Sequence, residues 1–355
     1  MQNKDTRLDY SGQAICIGLD IHKKTWKATV CTPHSVQQTV EIRRPFVSNL
    51  KRHLEKHYPK GNYRCVYEAG FSGFWIAEQL QREGMQCIVV HPPDVPTTDK
   101  ERKFKTDKRD SRKLSKSLRS EELTGIYQPS QGAQRDRALV RERWSINKSQ
   151  RRVKNQIKSL LLFYGLDIPE DLAERYWSRR FISWLERLSR ERSDESLELK
   201  LKRYLYMRQL ELEATRKLRT LSKTERYAVL FRLLSSVPGI SLLHGMLLIT
   251  ELINMDRFKS NDMLRSYVGL VPNSAGSGED ERTSELTSRG NRKIKTALVE
   301  SSWTAIRSDS ELLLKYESYC KGMSKQKAII RIARILLRRI RHVWIYGQLY
   351  QRVEW

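Results

Sequence analysis

The sequence predicts an α/β domain at the N-terminus, a helical middle segment and a mainly α domain at the C-terminus. Short apolar runs alternate with helical patterns over the first 125 residues, which is typical of a sheet with flanking helices. Proline and glycine then become rare and charge becomes dense, and apolar helical patterns return after residue 229. A chain of 355 residues is long enough for several cores. We therefore predict three domains, at residues 1–125, 126–228 and 229–355.

The N-terminal segment begins with three consecutive strand patterns and continues with crossovers. We expect strands at residues 15–19, 26–31 and 36–42, then a helix at 46–58, a strand at 63–67, a helix at 73–82, a strand at 87–90 and a basic helix at 107–118. A three-stranded meander followed by β-α-β crossovers gives a mixed sheet with helices on both faces. This is the element order of the ribonuclease-H-like fold, an analogy at the level of the fold alone.

The two later segments are predicted to be helical. Between residues 134 and 221, apolar residues recur at helical spacing among dense charges, with one break at 165–169. An antiparallel helix pair or a coiled-coil arm explains this pattern, and so does a solvated helical linker. Further on we expect an apolar helix at 242–253, a glycine- and serine-rich loop at 271–288, a helix at 291–307 and a basic amphipathic helix at 325–348.

The charge of the chain indicates a polyanionic partner. Lys and Arg number 67 against 41 Asp and Glu, and the resulting net charge of +26 would destabilise the fold by self-repulsion. The most apolar stretch contains His244 and Glu251 and is too short to span a bilayer, which favours nucleic acid over a membrane. The first twelve residues lack the apolar segment of a signal peptide, and the five cysteines form no Cys-x-x-Cys pair. We therefore expect a cytoplasmic protein without zinc or disulfides.

Four carboxylates form a candidate metal site. Asp20 and Glu68 each end an apolar run, where a side chain can point out of the sheet, and Asp107 and Asp110 share one helix face. Together they offer oxygen ligands for one or two Mg²⁺ ions, and two ions about 4 Å apart stabilise both reacting oxygens of a phosphoryl transfer. Each residue also has a structural alternative as a turn residue, a helix cap or a surface ion-pair partner. Their combined order favours the metal site.

A second candidate is Ser277, which lies between two glycines in the loop that follows Gly269. The glycines leave its hydroxyl with little steric cover, and nearby metal or cationic groups would have to activate it. Asn291 opens a helix whose N-terminal N–H groups make an expected anion site. The loop contains no histidine, which argues against a hydrolase triad. A flexible surface loop is the alternative, and the composition by itself favours it.

Two sets of short motifs stand out along the chain. The N-terminal motifs are Ile17-Gly-Leu-Asp-Ile-His-Lys23, Tyr67-Glu-Ala-Gly70 and Lys105-Thr-Asp-Lys-Arg-Asp110. The C-terminal motifs are Val237-Pro-Gly-Ile240, Tyr267-Val-Gly-Leu-Val-Pro272, Gly276-Ser-Gly278 and Ser288-Arg-Gly-Asn291. Together they resemble one family, the DEDD transposases of bacterial insertion sequences, which are described as bridge-RNA-guided recombinases, and the second set resembles the family's serine transposase domain. Both sets occur in the family's order, and the helical segment between them stands in the place of the family's coiled coil.

The resemblance implies a RuvC-like domain in which Asp20, Glu68, Asp107 and Asp110 bind Mg²⁺. It also implies that Ser277 attacks a DNA phosphate and forms a covalent phosphoserine link. Gly276 precedes it where the family commonly has serine or threonine, and Ser274 is the neighbouring serine of the loop.

Partners and assembly are implied by the same resemblance. Donor and target DNA would be the substrates, selected by a structured noncoding guide RNA. The assembly would be a homo-oligomer, a dimer of dimers with composite active sites. A RuvC-like nuclease or Holliday-junction resolvase that activates water without a serine is the alternative. A non-catalytic nucleic-acid-binding protein is a third hypothesis.

Overall fold

The computed structural model describes residues 9–96, 107–173, 176–272, 286–287 and 289–351. The chain divides into two compact units, Met1–Gln128 and Pro129–Trp355. Ser274 and Ser277 lie outside the described residues, and so does the side chain of Asp107.

The N-terminal unit is built on a five-stranded mixed sheet. Its strands are β1 (Ala14–Ile21), β2 (Trp26–Cys31), β3 (Val36–Ile42), β4 (Asn62–Glu68) and β5 (Gln86–Val90). The order across the sheet is β3-β2-β1-β4-β5, with β1 antiparallel to β2 and parallel to β4. Its helices are α1 (Val47–His57), α2 (Trp75–Arg82) and α3 (Asp107–Arg119). The predicted mixed sheet with flanking helices is confirmed.

Alternation along β1 separates two cores. Ile15, Ile17 and Leu19 belong to the core that also contains the buried residues of α1 and α2. Cys16 belongs to a second core, together with Leu114 of α3. The helices therefore cover both faces of the sheet, and every second residue of β1 faces α3.

Gly18 lets α3 lie directly on β1. A Cβ atom at this position would lie 2.1 Å from the carbonyl oxygen of Ser111 and 2.4 Å from the backbone nitrogen of Ser115, so only glycine fits. Both serines also bond to β2: the Ser111 hydroxyl is 2.9 Å from the Thr29 hydroxyl, and that of Ser115 is 3.1 Å from the Cys31 sulfur. Small side chains and buried hydrogen bonds thus fix how α3 sits on the sheet.

The C-terminal unit is helical. Its helices are α4 (Gln131–Phe163), α5 (Glu170–Ala173), α6 (Arg179–Glu191), α7 (Glu195–Leu221), α8 (Ala228–Ser235), α9 (Leu242–Leu252), α10 (Asn261–Val268), α11 (Arg292–Ser308), α12 (Ser310–Cys320) and α13 (Lys325–Tyr346). The predicted helical character of the later segments is confirmed. Within the described ranges, no helix has both the length and the apolar composition that crossing a bilayer requires.

The long helices α4 and α7 pack against each other in antiparallel directions. Val153 near the end of α4 shares a core with Leu201 near the start of α7, and the Arg143 guanidinium donates to Glu211 at 2.8 Å further along. Ser130 and Asp194 cap their first turns through side-chain oxygens, as residues of this type commonly do.

A larger core surrounds α9 and α13. The residues of α9 from Gly245 to Leu252 are all buried, and α13 contributes one apolar face that contains Ile332 and Leu336. Arg339 of this helix is buried as well. Its charge is compensated there, since its guanidinium donates to Asp309 at 2.8 Å and to Glu311 at 2.6 Å. The basic helix at the C-terminus is therefore held by ion pairs as well as by apolar contacts.

Replacing Gly18 with alanine tests the contact between α3 and β1. The added methyl group would overlap the backbone of α3, so we expect the free energy of urea unfolding to fall by about 1–3 kcal/mol, as in overpacked cores. Gly70→Ala is the matched control, because a Cβ atom there would meet only the Glu68 carbonyl oxygen, at 4.0 Å. Equal unfolding free energies for the two variants would contradict the close contact.

Candidate functional site

Asp20 and Glu68 lie side by side at one edge of the sheet. In the parallel pair formed by β1 and β4, Leu19 is opposite Tyr67, and the two carboxylates occupy the next position of each strand. Helix α2 begins only at Trp75, so Glu68 does not cap it. The carboxyl ends of adjacent parallel strands thus bring two acidic side chains together.

The third carboxylate comes from α3. Asp20 faces the same side of the sheet as Gly18, two residues earlier, and Glu68 faces the same side as the buried Val66. The close seating of α3 on that side brings Asp110 to the same place. Asp20, Glu68 and Asp110 line one cavity of about 360 Å³.

Asp107 is the first residue of α3, one turn before Asp110. Three of the four predicted carboxylates therefore share a cavity, and the backbone of the fourth is one helical turn away.

His22 was not among the predicted site residues. It lines the same cavity, and its Nε2 lies 3.3 Å from Oδ2 of Asp20. A tight turn holds it there, because the His22 N–H donates to the carbonyl oxygen of Thr25 at 3.0 Å. In the sequence, His22 stands two residues after the strand carboxylate and within the motif of residues 17–23, and neither signal reveals the contact.

The donor atoms at this cavity fit Mg²⁺ in chemical type. Carboxylate oxygens are the ligands that this ion prefers, and it commonly binds one or two of them while water and substrate phosphates complete its octahedron. In the parts of the chain that the structure describes, no three His, Cys, Asp or Glu side chains form a preassembled metal cluster. The described carboxylates can therefore supply part of a coordination sphere, which further oxygen ligands would have to complete.

The second candidate region is a stem formed by residues 267–272 with residues 286–287 and 289–291. Pro272 pairs with Leu286 in an antiparallel bridge, and the Thr287 N–H donates to the Val271 oxygen at 3.1 Å. At the other end, the N–H of Asn291 donates to the Tyr267 oxygen at 2.8 Å. The chain segment that contains Ser277 therefore leaves and returns through one hydrogen-bonded stem.

Two glycines allow the halves of the stem to approach. Gly269 has φ +80° and Gly290 has φ +114°, in the region that favours glycine. A Cβ atom at Gly290 would lie 2.6 Å from the backbone nitrogen of Gly269, and one at Gly269 would lie 2.5 Å from the Arg289 oxygen. Gly269 and Gly290 are thus required by close backbone contact.

The predicted anion site at the start of α11 is wrong for the N–H groups of Lys293 and Ile294, because these groups already have an acceptor. The side-chain oxygen of Asn291 already accepts from the N–H groups of Lys293 at 3.1 Å and Ile294 at 3.3 Å. Asn291 is the N-cap of this helix, so these donors are used internally.

Glu251 is a buried carboxylate at the base of the stem, only 1% exposed. The guanidinium of Arg141 on α4 donates twice to it, from Nε to Oε1 at 2.7 Å and from Nη2 to Oε2 at 2.9 Å. The side-chain amide of Asn291 donates to Oε2 at 3.0 Å. Burial raises the pKa of the Glu251 carboxyl, but the hydrogen bonds and charge of Arg141, with help from Asn291, outweigh it and bring the pKa below its usual value.

Glu251 is the single acid in the apolar pattern of residues 242–253, and we interpreted it only as evidence against a membrane span. A single acid in a wholly buried apolar helix must have a partner, because an unpaired buried charge is very costly. The partner itself is 110 residues away and could not be read from local spacing.

A serine, a histidine and a glutamate also meet between α9 and α11. Nδ1 of His244 is 2.7 Å from the Ser301 hydroxyl, and its Nε2 is 3.2 Å from Oε2 of Glu300. Ser301 is buried, so a substrate cannot reach its hydroxyl. This contact joins the two helices and does not form a hydrolytic site.

Comparison with known proteins gives two family matches. Residues 17–165 match the family model of the DEDD-type IS110 transposases, and residues 231–317 match that of the transposase IS116/IS110/IS902 family. The first match contains all four predicted carboxylates, and the second contains Ser277 and both halves of the stem.

Individual relatives agree with these matches. The proposed transposase y4qE of Sinorhizobium fredii is 30% identical over 242 residues, which are 68% of this chain and 58% of that protein. The proposed transposase y4rJ of the same organism is 25% identical over 91% of this chain and 90% of that protein. The transposase for insertion sequence element IS1533 of Leptospira borgpetersenii is 27% identical over 67% of this chain and 69% of that protein. The match thus spans little more than half of y4qE and nearly all of y4rJ.

Acid is expected to remove the stabilisation that Glu251 provides. A carboxyl whose pKa is depressed in the folded state stabilises the fold above its unfolded pKa and loses that contribution as the pH falls through the folded pKa. We expect the unfolding free energy of the wild type to fall more steeply below about pH 4.3, the unfolded pKa of Glu, than that of Glu251→Gln. Urea unfolding at a series of pH values measures this, and parallel pH curves would contradict the ion pair.

Proposed function

Because the chain belongs to the DEDD-type transposases of the IS116/IS110/IS902 family, we propose that it cleaves DNA and exchanges strands between a donor and a target DNA. The observation that supports the proposal is the cavity that Asp20, Glu68 and Asp110 line together. Three acids from two strand ends and a helix form an acidic surface in a chain whose net charge is +26. Carboxylates around one cavity offer the oxygen ligands that divalent cations such as Mg²⁺ prefer.

Asp20, Glu68 and Asp110, together with Asp107, would hold one or two Mg²⁺ ions. Bound there, Mg²⁺ would supply positive charge to phosphate oxygens at which negative charge develops during phosphoryl transfer. The carboxylates themselves orient the site, because their positions follow from the strand ends and from the seating of α3 on β1.

We infer that Ser277 is the nucleophile. Its Oγ would attack the phosphorus of a DNA phosphodiester, a P–O bond to the leaving strand would break, and the departing oxygen would gain a proton as the serine loses one. The product is a phosphoserine link between protein and DNA. Attack by the hydroxyl end of another strand would restore the serine and join the DNA. The stem supports this role, since backbone hydrogen bonds join the two chain ends from which the segment containing Ser277 extends.

Nucleic acid is the proposed polyanionic partner. Lys148, Arg151 and Arg152 line an exposed, shallow groove along α4 together with Asn155 and Gln156. Such side chains can contact phosphates without reading sequence. We propose that a structured noncoding guide RNA selects donor and target DNA by base pairing, as the family resemblance implies, and that the protein works in the cytoplasm.

We also propose a homo-oligomer, a dimer of dimers, in which the arm of α4 and α7 mediates association as a coiled coil. Leu162 and Phe163 at the end of α4 are 81% and 82% exposed, which is unusual for neighbouring large apolar side chains and supports a contact at this end. The proposed active site is composite, with the carboxylates and the serine coming from different copies.

The alternative is a RuvC-like nuclease or Holliday-junction resolvase that activates water and needs no serine. One observation favours it: all residues that line the acidic cavity belong to the N-terminal unit. Such a cavity can support hydrolysis without the stem.

A covalent adduct distinguishes the two functions. When reactions with labelled DNA are denatured, we expect protein attached to a DNA end in the wild type and in Ser274→Ala, and no adduct in Ser277→Ala. Gel analysis after protease treatment measures this. DNA cleavage without any adduct, retained in Ser277→Ala, would favour the nuclease.

The carboxylates are tested one at a time. Asp20→Asn, Glu68→Gln, Asp107→Asn and Asp110→Asn remove a charged ligand each, so we expect Mn²⁺ affinity, measured by calorimetry, and DNA cleavage to fall by about tenfold or more. Glu55→Gln is the control, because this exposed acid pairs with Lys51 and does not line the cavity. Unchanged Mn²⁺ binding in all four variants would contradict the metal site.

A further inference from the structure

Glu251 contacts both ends of the stem. Its side chain accepts from the amide of Asn291, the last stem residue, at 3.0 Å. Its backbone oxygen accepts from the hydroxyl of Tyr267, the first stem residue, at 3.4 Å. The same residue is clamped to α4 by the two hydrogen bonds from Arg141. One buried side chain thus joins α4, α9 and the stem.

The geometry of this contact is specific. A guanidinium that donates twice to a carboxylate fixes the plane of that carboxylate, and the Asn291 amide approaches Oε2 as a third donor. Asn291 is also fixed at its other end, where its Oδ1 caps α11. On the Tyr267 side, the Arg257 guanidinium lies 4.6 Å from the ring centroids of both Phe258 and Tyr267. The stem therefore cannot rotate about its base without breaking several directional bonds.

Packing alone does not explain a glutamate at this position. The neighbouring residues of α9 are buried and apolar apart from Thr250, whose hydroxyl donates to the Met246 oxygen of the same helix. An apolar residue of similar volume would often stabilise such a core at least as well, because burying an ion pair has a large desolvation cost. A charge that is buried with three donors instead provides directional restraint.

We propose that Glu251 is a positioning residue for the serine chemistry, because it sets the orientation, relative to α4, of the stem that carries both ends of the segment containing Ser277. The inference rests on the proposed role of Ser277. In this proposal Arg141 links Glu251 to α4, and Asn291 links Glu251 to the start of α11.

The expected signature is a defect in rate without a defect in binding. In Glu251→Gln an amide N–H₂ replaces one acceptor and meets N–H donors. In Asn291→Ser the shorter hydroxyl can still cap the helix, but the amide that reaches Glu251 is removed. At saturating DNA, we expect the single-turnover rate of adduct formation to fall about tenfold to a hundredfold in both variants, as for a misplaced reacting group. The Kd for DNA should stay within about twofold, because no phosphate-binding side chain changes.

Asp309→Asn is the matched control for a purely structural effect. Asp309 is another buried carboxylate of the same unit, paired with Arg339 and remote from the stem in its contacts. We expect this variant to lose thermal stability but to keep the wild-type rate at saturating DNA, at a temperature where all variants are folded by circular dichroism. A rate loss in Asp309→Asn as large as in Glu251→Gln would overturn the positioning role.

The pH dependence of the adduct-formation rate separates a positioning role from a loss of packing, because a packing defect would not vary with the protonation of residue 291. Asn291→Asp places a second carboxyl beside Glu251, and the like charge raises the pKa of one of the pair. Protonation at lower pH restores an O–H donor between them, so we expect the adduct-formation rate of Asn291→Asp, relative to Asn291→Ser, to increase as the pH falls. A ratio that is constant with pH would overturn the inference.

Failure of the inference and failure of the proposed function are distinguishable. If the wild type forms an adduct that Ser277→Ala abolishes, while Glu251→Gln and Asn291→Ser react at the wild-type rate, the positioning role is wrong and the serine chemistry stands. If the wild type forms no adduct while it cleaves DNA, the serine chemistry is wrong, and with it the inference.

Discussion

The backbone of α3 lies directly on β1 at Gly18, and the acidic cavity depends on this contact. Strand alternation directs Asp20 to the side of the sheet that α3 covers, but a side chain at Gly18 would push the helix away. Hydrogen bonds from Ser111 and Ser115 to β2 hold the helix at this distance. Gly18 and Asp20 thus have linked roles. Gly18 allows α3 to pack closely on β1, and α3 brings Asp110 to the cavity that Asp20 lines.

The C-terminal unit also depends on close backbone contacts at glycine residues. Gly269 and Gly290 admit a close backbone contact that closes the stem, as Gly18 admits α3. Hydrogen bonds then fix the orientation of the packed segment. Serine hydroxyls do this for α3 in the first unit, and the buried Glu251 does it for the stem in the second. In both units the glycines belong to the motifs that carry the family resemblance, which gives those motifs a structural reason besides a chemical one.

Much of the N-terminal unit could be predicted from the sequence, because its signals are local. Short apolar runs predicted the strands of the sheet, and acids at the ends of two such runs, Asp20 and Glu68, predicted a shared site. The contacts that orient the sites are long-range: Thr29 meets Ser111 across 82 residues, and Arg141 meets Glu251 across 110. Periodicity does not encode such pairings, which explains why Glu251 was missed. The N-cap role of Asn291 is local, and the preference of asparagine for N-cap positions could have predicted it.

We propose that the carboxylates beside the contact between α3 and β1 form a metal site. Anomalous diffraction from crystals of the full chain grown with Mn²⁺ and cleavable DNA tests it most directly. We predict an anomalous peak in contact with Asp20, Glu68 and Asp110, which disappears in Asp20→Asn. Mn²⁺-dependent cleavage in crystals whose anomalous peak lies away from these three side chains would contradict the account.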